Sequence, residues 1–470
     1  MTTLELLLAT LAEDPSRIVV GHRGRGITGR AFLGRARAMA VHLRSAGLRE
    51  GDSLGVATAD NVTSMQLLLA AWMCGAAPLV LDFRLSARQL GEWHRRLPLR
   101  LVVGPGTAAS PEGPPVLALP PDLPPLDDLP WAPPSDEGAV ADFFTSSGTT
   151  NFPKILPVTH GSMAATINRW LHDPALGILG VTLSALSLAY PGSRTVWYRN
   201  LVAGQKIVAL DLIHTLRELD EALARPDVQD CTLPPVQLRR LAQLPPKGEG
   251  PRYPQLQKLR AIGGPSTPED KLLAVQRLSP NYLMTYSSTD AGVVSRIVGA
   301  EVLERPASCG RPVPGTTVEI RDGDRLCPPG ETGVIRVLRE GQDPVEPGDL
   351  GWLDRDGYLY IAGRTGGLMC RHGINVSVAQ VESVLLACPQ VADAVVWPTP
   401  DEDEGDRIHA VLECAEGDEA AIREFIRRDV SNRERPDRVA FARRLPRTPG
   451  GKPDRRAIAE TFAERAPTHA

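Results

Sequence analysis

The stretch Thr145-Ser146-Ser147-Gly148-Thr149-Thr150-Asn151-Phe152-Pro153-Lys154 gathers five hydroxyl side chains around one glycine and closes on a proline and a lysine. Hydroxyls and backbone N–H groups on a turn make a cradle for phosphate oxygens, and a lysine adds a point charge. The spacing is not that of a Walker A loop, which needs two glycines separated by four residues and then Lys-Ser/Thr. A triphosphate is therefore expected to be held by a different kind of loop.

The elements around this loop follow from periodicity and turn residues. Residues 30–47 read as a helix rich in Ala, Leu and Arg, with Gly47 as its stop. Residues 61–74 read as a second helix, followed by a short apolar strand at 77–81 and another apolar run, Leu101-Val102-Val103. Helix alternating with short apolar strand predicts α/β layering with parallel strands. Residues 105–134 are rich in proline and fit either a domain linker or a surface connection inside one domain. Beyond Gly363 the pattern changes. Gly366-Gly367 places little restriction on the backbone. Ser377 and Gln380 form a candidate capping box for a helix carrying Val381, Val384 and Leu385. Strands at 392–397 and 408–413 and a helix at 418–428 complete a compact α+β unit of about 100 residues.

The bulk properties narrow the function classes. A chain of 470 residues holds two or three domains and a large core. A formal net charge of −4 offers no sequence-wide basic field for nucleic acid. No apolar run is long enough for a membrane span, and the N-terminal segment reads as an amphipathic helix rather than a signal peptide. The seven cysteines are widely spaced with no CxxC pair, which argues against zinc and a disulfide framework and for a reducing cytoplasm.

From residue 25 onward, five ordered motifs resemble the adenylate-forming superfamily of acyl-CoA synthetases, luciferases and nonribosomal adenylation domains. The phosphate loop resembles Ser-Gly-Thr-Thr-Gly-x-Pro-Lys, with Asn151 in place of a glycine; asparagine tolerates a left-handed backbone better than most residues. Tyr286-Ser287-Ser288-Thr289-Asp290 resembles Tyr-Gly-x-Thr-Glu. The resemblance implies that Tyr286 stacks on adenine, Thr289 bonds the α-phosphate and Asp290 helps hold Mg²⁺, a role a shorter carboxylate also suits. Gly348-Asp349 resembles Thr-Gly-Asp, with Pro347 in place of the threonine, and implies a ribose contact by Asp349, an acceptor-only group when ionised. Gly363-Arg364-Thr365-Gly366-Gly367 resembles the family's hinge, with Arg364 near the ribose and phosphate. Gly366 stands at the pivot, where Asp or Lys is usual, and glycine can absorb the backbone change. Pro446-Arg447-Thr448-Pro449-Gly450-Gly451-Lys452 resembles the family's C-terminal motif, whose lysine reaches the active site.

The fold implied is α/β: a large N-terminal domain of layered sheets and helices at 1–365, and a small mobile α+β C-terminal domain at 366–470. The implied reaction has two steps. A carboxylate attacks the α-phosphate of ATP, and a thiol then displaces AMP. The cofactors and substrates expected are ATP, Mg²⁺ and coenzyme A. The protein aligns groups and neutralises charge, and Lys452 offsets the repulsion between carboxylate and polyphosphate. Thr145, Ser146, Ser147, Gly148, Thr149, Thr150 and Lys154 make up the phosphate-binding set. Tyr190 falls at the family's substrate-site aromatic, and Gly263-Gly264-Pro265 at its acid-side loop. Pro191 replaces the aspartate that holds an α-ammonium in amino-acid-activating members, so an aryl or acyl carboxylic acid is expected. Too few residues follow Lys452 for a carrier domain, so the thiol is expected from free coenzyme A or a separate acyl carrier protein. An amine acceptor and a nucleotide-binding protein without catalysis are the remaining readings.

Overall fold

The computed structural model describes the chain except residues 86, 105–112, 146–153, 174–176, 178–179, 263–265, 289, 365–367, 372–373, 402–404, 431–434, 449–450 and 463–470; at 88, 364, 368–371, 374–377, 400–401, 405–406 and 456 only the backbone is described. It divides into two compact units, Met1–Thr232 with Gln255–Gln257, and Leu233–Pro254 with Lys258–Ala470. The mixed α/β layering matches the expected class.

The first unit is built around the helix Asn61–Met73. Asp60 caps it, its carboxylate accepting from the Thr63 N–H at 2.8 Å. The helix is buried on nearly every side, as suits the centre of a large core. It follows Ser53–Val56, which lies in a four-stranded parallel sheet with Ala77–Val80, Leu101–Val103 and Val116–Leu117. Ala77–Val80 is buried at every position, which is how a parallel strand covered on both faces reads in sequence. A second run of strands pairs Val228–Leu233, Val181–Ser184, Ile207–Ala209 and Ile18–His22 in parallel, with Arg25–Thr28 antiparallel at the end. The helix Gly29–Ser45 ends before Gly47, whose φ of +98° is costly for any other residue. Of the proline-rich stretch, residues 113–134 pack within this unit: Trp131 Nε1 donates to the Met73 carbonyl at 2.9 Å and Arg35 to that of Leu123 at 2.8 Å. They form a surface connection, not a linker.

The second unit carries strands of three sheets. Lys258–Ala261 runs parallel to Tyr282–Ser288, which turns back into Gly292–Val298. A five-stranded sheet orders Arg325–Leu326, Thr317–Asp322, Gly333–Leu338, Asp349–Leu353 and Leu359–Arg364. Along Gly333–Leu338 alternate residues are buried, so Ile335 and Val337 join Val318, Ile320 and Leu359 in one core. Nearer the C-terminus, Asp393–Asp401 pairs antiparallel with Gly405–Glu413, and Arg438–Ala442 lies parallel to the latter. Both faces of this sheet are covered. The helices Val378–Leu386 and Glu419–Asp429 bring Val381, Leu385, Ile422 and Ile426 onto Val396, Ala410 and Leu412. Val395, Val411, Ala440 and Ile458 pack on the other face. Among the described residues no helix is long and apolar enough to cross a membrane.

Candidate active site

The phosphate-loop motif lies in sequence between two paired strands. Val140–Thr145 pairs antiparallel with Ile155–Thr159, and Thr145 lies opposite Ile155. Ser146, Ser147, Gly148, Thr149 and Thr150 lie outside the described residues. Thr145 is half-buried at the strand end, and Lys154 is exposed just before the second strand.

A buried ionic cluster anchors this strand pair. Asp142, three residues before Thr145, has no exposed side-chain surface, and neither does Arg194. Arg194 Nη1 donates to Asp142 Oδ1 at 2.6 Å, and the Tyr198 hydroxyl donates to Oδ2 at 2.7 Å. Burial pushes the Asp142 carboxyl up to about 6, against the opposing pull of the Arg194 charge and the Tyr198 hydroxyl. The arginine also lies 4.9 Å from the Phe144 ring centroid. Sequence reasoning did not find these three residues. The available signal was an aspartate inside the apolar strand Val140–Thr145, with an arginine and a tyrosine at i, i+4 spacing elsewhere.

Arg194 and Tyr198 belong to the helix Pro191–Val202, which starts directly after Tyr190. Pro191 occupies the first turn, where its missing N–H costs nothing and its fixed φ favours the helix. Tyr190 is partly buried at the helix start, and burial raises its phenol above the usual value. The anchor thus joins the phosphate hairpin to the helix that carries the expected acid-pocket aromatic.

In the second unit, two motifs far apart in sequence meet. The Tyr286 hydroxyl donates to Asp349 Oδ2 at 2.5 Å. Tyr286 lies opposite Ser295, and its ring packs at the edge of the core holding Ala291, Val294 and Leu359. Asp349 is buried and opens its strand after Gly348, whose φ is +79°. In register it faces Arg364, of which the backbone alone is described. Asp290 is exposed in the turn between Tyr282–Ser288 and Gly292–Val298; Thr289 beside it lies outside the described residues. No group of three or more His, Cys, Asp or Glu gathers among the described residues. A lone exposed carboxylate fits Mg²⁺, which takes one or two carboxylates and completes its shell with phosphate oxygens and water. Gly263, Gly264, Pro265 and Gly366 lie outside the described residues.

Lys452 stands on a closed turn. The Asp454 N–H donates to the Pro446 carbonyl at 2.8 Å, and the Thr448 N–H to that of Lys452 at 2.7 Å. Gly451, at φ +78°, lets the chain reverse there. Arg455, just beyond, donates to the Val396 carbonyl at 2.8 Å and pairs with buried Glu382, which burial raises above the usual carboxylate range.

Comparison with known proteins places the chain in a family. The family model described as AMP-binding enzyme matches residues 8–341, and that of the AMP-binding enzyme C-terminal domain matches 380–452. A 2-succinylbenzoate–CoA ligase of Geobacillus kaustophilus is 28% identical over 94% of this chain and 95% of its own. The fatty acid–[acyl-carrier-protein] ligase ScoC of Streptomyces coeruleorubidus is 26% identical over 96% of this chain and 94% of its own. The structure of o-succinylbenzoate coenzyme A synthetase (MenE) from Bacillus subtilis in complex with AMP superposes with a TM-score of 0.82, covering 100% of this chain and 99% of that one at 19% identity. At that identity the likeness concerns the fold.

Proposed function

This chain belongs to the AMP-binding enzyme family, and from that premise we propose that it activates an aryl or acyl carboxylic acid with ATP and transfers the acyl group to the thiol of coenzyme A. The observation that carries this reading is the 2.5 Å bond between Tyr286 and Asp349, with Arg364 opposite in register. It joins three motifs distant in sequence, from a strand of one sheet to two neighbouring strands of another.

In the first step a carboxylate oxygen of the acid bonds to the α-phosphorus and the bond to pyrophosphate breaks. The motif from Thr145 to Thr150, with Lys154, cradles the polyphosphate. Tyr286 stacks on the adenine, Asp349 accepts from the ribose hydroxyls, Arg364 lies beside ribose and phosphate, and Thr289 bonds the α-phosphate. Lys452 brings an ammonium to the site where two anions must approach, the kind of preorganised charge that lowers such barriers. Asp290 would hold Mg²⁺, which supplies further charge neutralisation on the phosphates. In the second step the thiol sulfur bonds to the acyl carbon, the C–O bond to AMP breaks, and the thiol proton is released. Residues 366–470 turn about Gly366 between the steps, against a large domain at 1–365, and withdraw Lys452. Tyr190 and the Gly263-Gly264-Pro265 loop bound the acid, and Pro191 removes the partner an α-ammonium needs.

A separate acyl carrier protein is the second reading for the thiol, favoured by the likeness to an acyl-carrier-protein ligase. Cys74, Cys231, Cys309, Cys327, Cys388 and Cys414 are free thiols, which suits the cytoplasm.

The test is pyrophosphate release with ATP and Mg²⁺ across aryl, fatty and amino acids, with and without coenzyme A. Turnover with an aryl or acyl acid that yields its CoA thioester is expected. Adenylation with no CoA product would move the reading to a carrier protein or an amine. No adenylation with any acid would leave a nucleotide binder. Asp349→Ala is expected to weaken ATP binding about tenfold, through loss of hydrogen bonds to the ribose, and titration of ATP against the variant reads this directly.

A further inference from the structure

We propose that Arg447 is a positioning residue for Lys452, held in a slot made by Asp393 and Glu413. The inference rests on the reading of Lys452 given above.

Asp393 and Glu413 lie directly opposite each other on neighbouring antiparallel strands. Like charges so placed destabilise a sheet unless a cation joins them. Arg447 is that cation. Its Nη1 lies 2.7 Å from Asp393 Oδ2 and its Nη2 2.7 Å from Glu413 Oε2. The same Nη1 donates to the Gly451 carbonyl at 3.0 Å, one residue before Lys452. One planar guanidinium therefore ties the tip of the Lys452 turn to the sheet, a geometry a point-charge ammonium does not reproduce. Both carboxylates are themselves fixed. The Leu445 N–H donates to Glu413 Oε2 at 3.1 Å, and the Ala394 N–H to Asp393 Oδ1 at 2.9 Å. Arg240, on the helix Pro235–Ala242, pairs with the other oxygen of Glu413. With the fork lost, the turn keeps its own internal hydrogen bonds but loses its fixed position on the sheet. Lys452 then delivers its charge less accurately, and the step that needs that charge slows.

The experiment is a double-mutant cycle on the two half-reactions, with Arg447→Met, Lys452→Ala and the pair. Adenylation is read by pyrophosphate exchange, and thioester formation from supplied acyl adenylate. Arg447→Met is expected to lower the adenylation kcat about 10- to 100-fold, the size of effect a misplaced catalytic group produces, with the KM for ATP and thioester formation unchanged. In the Lys452→Ala background the same substitution should add nothing, because it acts through a group already removed. A full second loss in the double variant, or equal loss of both half-reactions in the single one, overturns the proposal. Unchanged adenylation in Lys452→Ala alone would overturn the reading of Lys452 and this proposal with it. Asp393→Asn keeps the shape of the slot and repeats the cycle should Arg447→Met fail to fold. Arg447→Lys should recover part of the rate.

Discussion

Two arginines anchor two turns in this molecule, and they do so in different surroundings. Under the phosphate hairpin, Arg194 and Asp142 have no exposed side-chain surface and share their site with Tyr198 and Phe144. At the Lys452 turn, Arg447 and Asp393 keep 15% and 12% of their side chains exposed, and only Glu413 is almost wholly covered. The first anchor joins strand to helix in the dry interior of one unit. The second pins a surface turn to a sheet edge. Breaking a buried pair leaves an uncompensated charge, and the penalty falls as water reaches the pair. The comparison teaches that similar chemistry serves stability in one place and placement of a side chain in the other.

The largest expected effect tests the dry anchor. Arg194→Met should lower folding stability by about 3–5 kcal/mol at pH 8, the usual cost of removing one partner of a buried pair, read by urea unfolding. A loss below about 1 kcal/mol would show that the site is wet and erase the contrast. Next comes Lys452→Ala. Adenylation should fall about 10²- to 10³-fold, as when one preorganised charge donor is removed, while thioester formation from supplied acyl adenylate and the unfolding midpoint stay put. Equal loss of both half-reactions would break the assignment of placement to the second region.

A smaller effect sharpens the first anchor through pH. The folded carboxyl of Asp142 titrates at about 6, above its ordinary 3.8. The stabilisation from its bound proton is thus complete below the ordinary value and is lost as pH rises through 6. Without Arg194 the carboxyl titrates higher still. The penalty of Arg194→Met should then be least below pH 6 and grow as pH rises above it, seen as diverging urea midpoints of wild type and variant. A penalty independent of pH would mean that Asp142 is not the charge left behind. The smallest effect belongs to the second anchor. Asp393→Asn leaves Arg447 paired with Glu413 and should cost less stability than Arg194→Met, yet still slow adenylation measurably. Loss of stability without loss of rate would make that slot structural only.

Much of the scaffold was legible in the chain. The helices at 61–74 and 418–428 and the strands at 101–103 and 408–413 announced themselves through apolar periodicity and turn residues, and they appear as Asn61–Met73, Glu419–Asp429, Leu101–Val103 and Gly405–Glu413. These are local signals, set by neighbours within one or two turns of chain. Ordered motifs at characteristic intervals also mark Tyr286, Asp349 and Lys452 as candidates. The anchors were not legible. Asp142 reads as an intrusion in an apolar strand, and nothing near it names Arg194. Asp393, Glu413 and Arg447 read as ordinary surface charges in a charged region.

By itself the sequence determined which chemical groups the molecule carries and the secondary structure that bears them, since both depend on residue type and short spacing. The tertiary structure decided which charges meet. Asp142 finds Arg194, Tyr286 finds Asp349, and Arg447 finds Asp393 and Glu413 only when distant segments pack together. Packing also sets how much water reaches each pair, and with it the strength of the charges and the consequence of removing one.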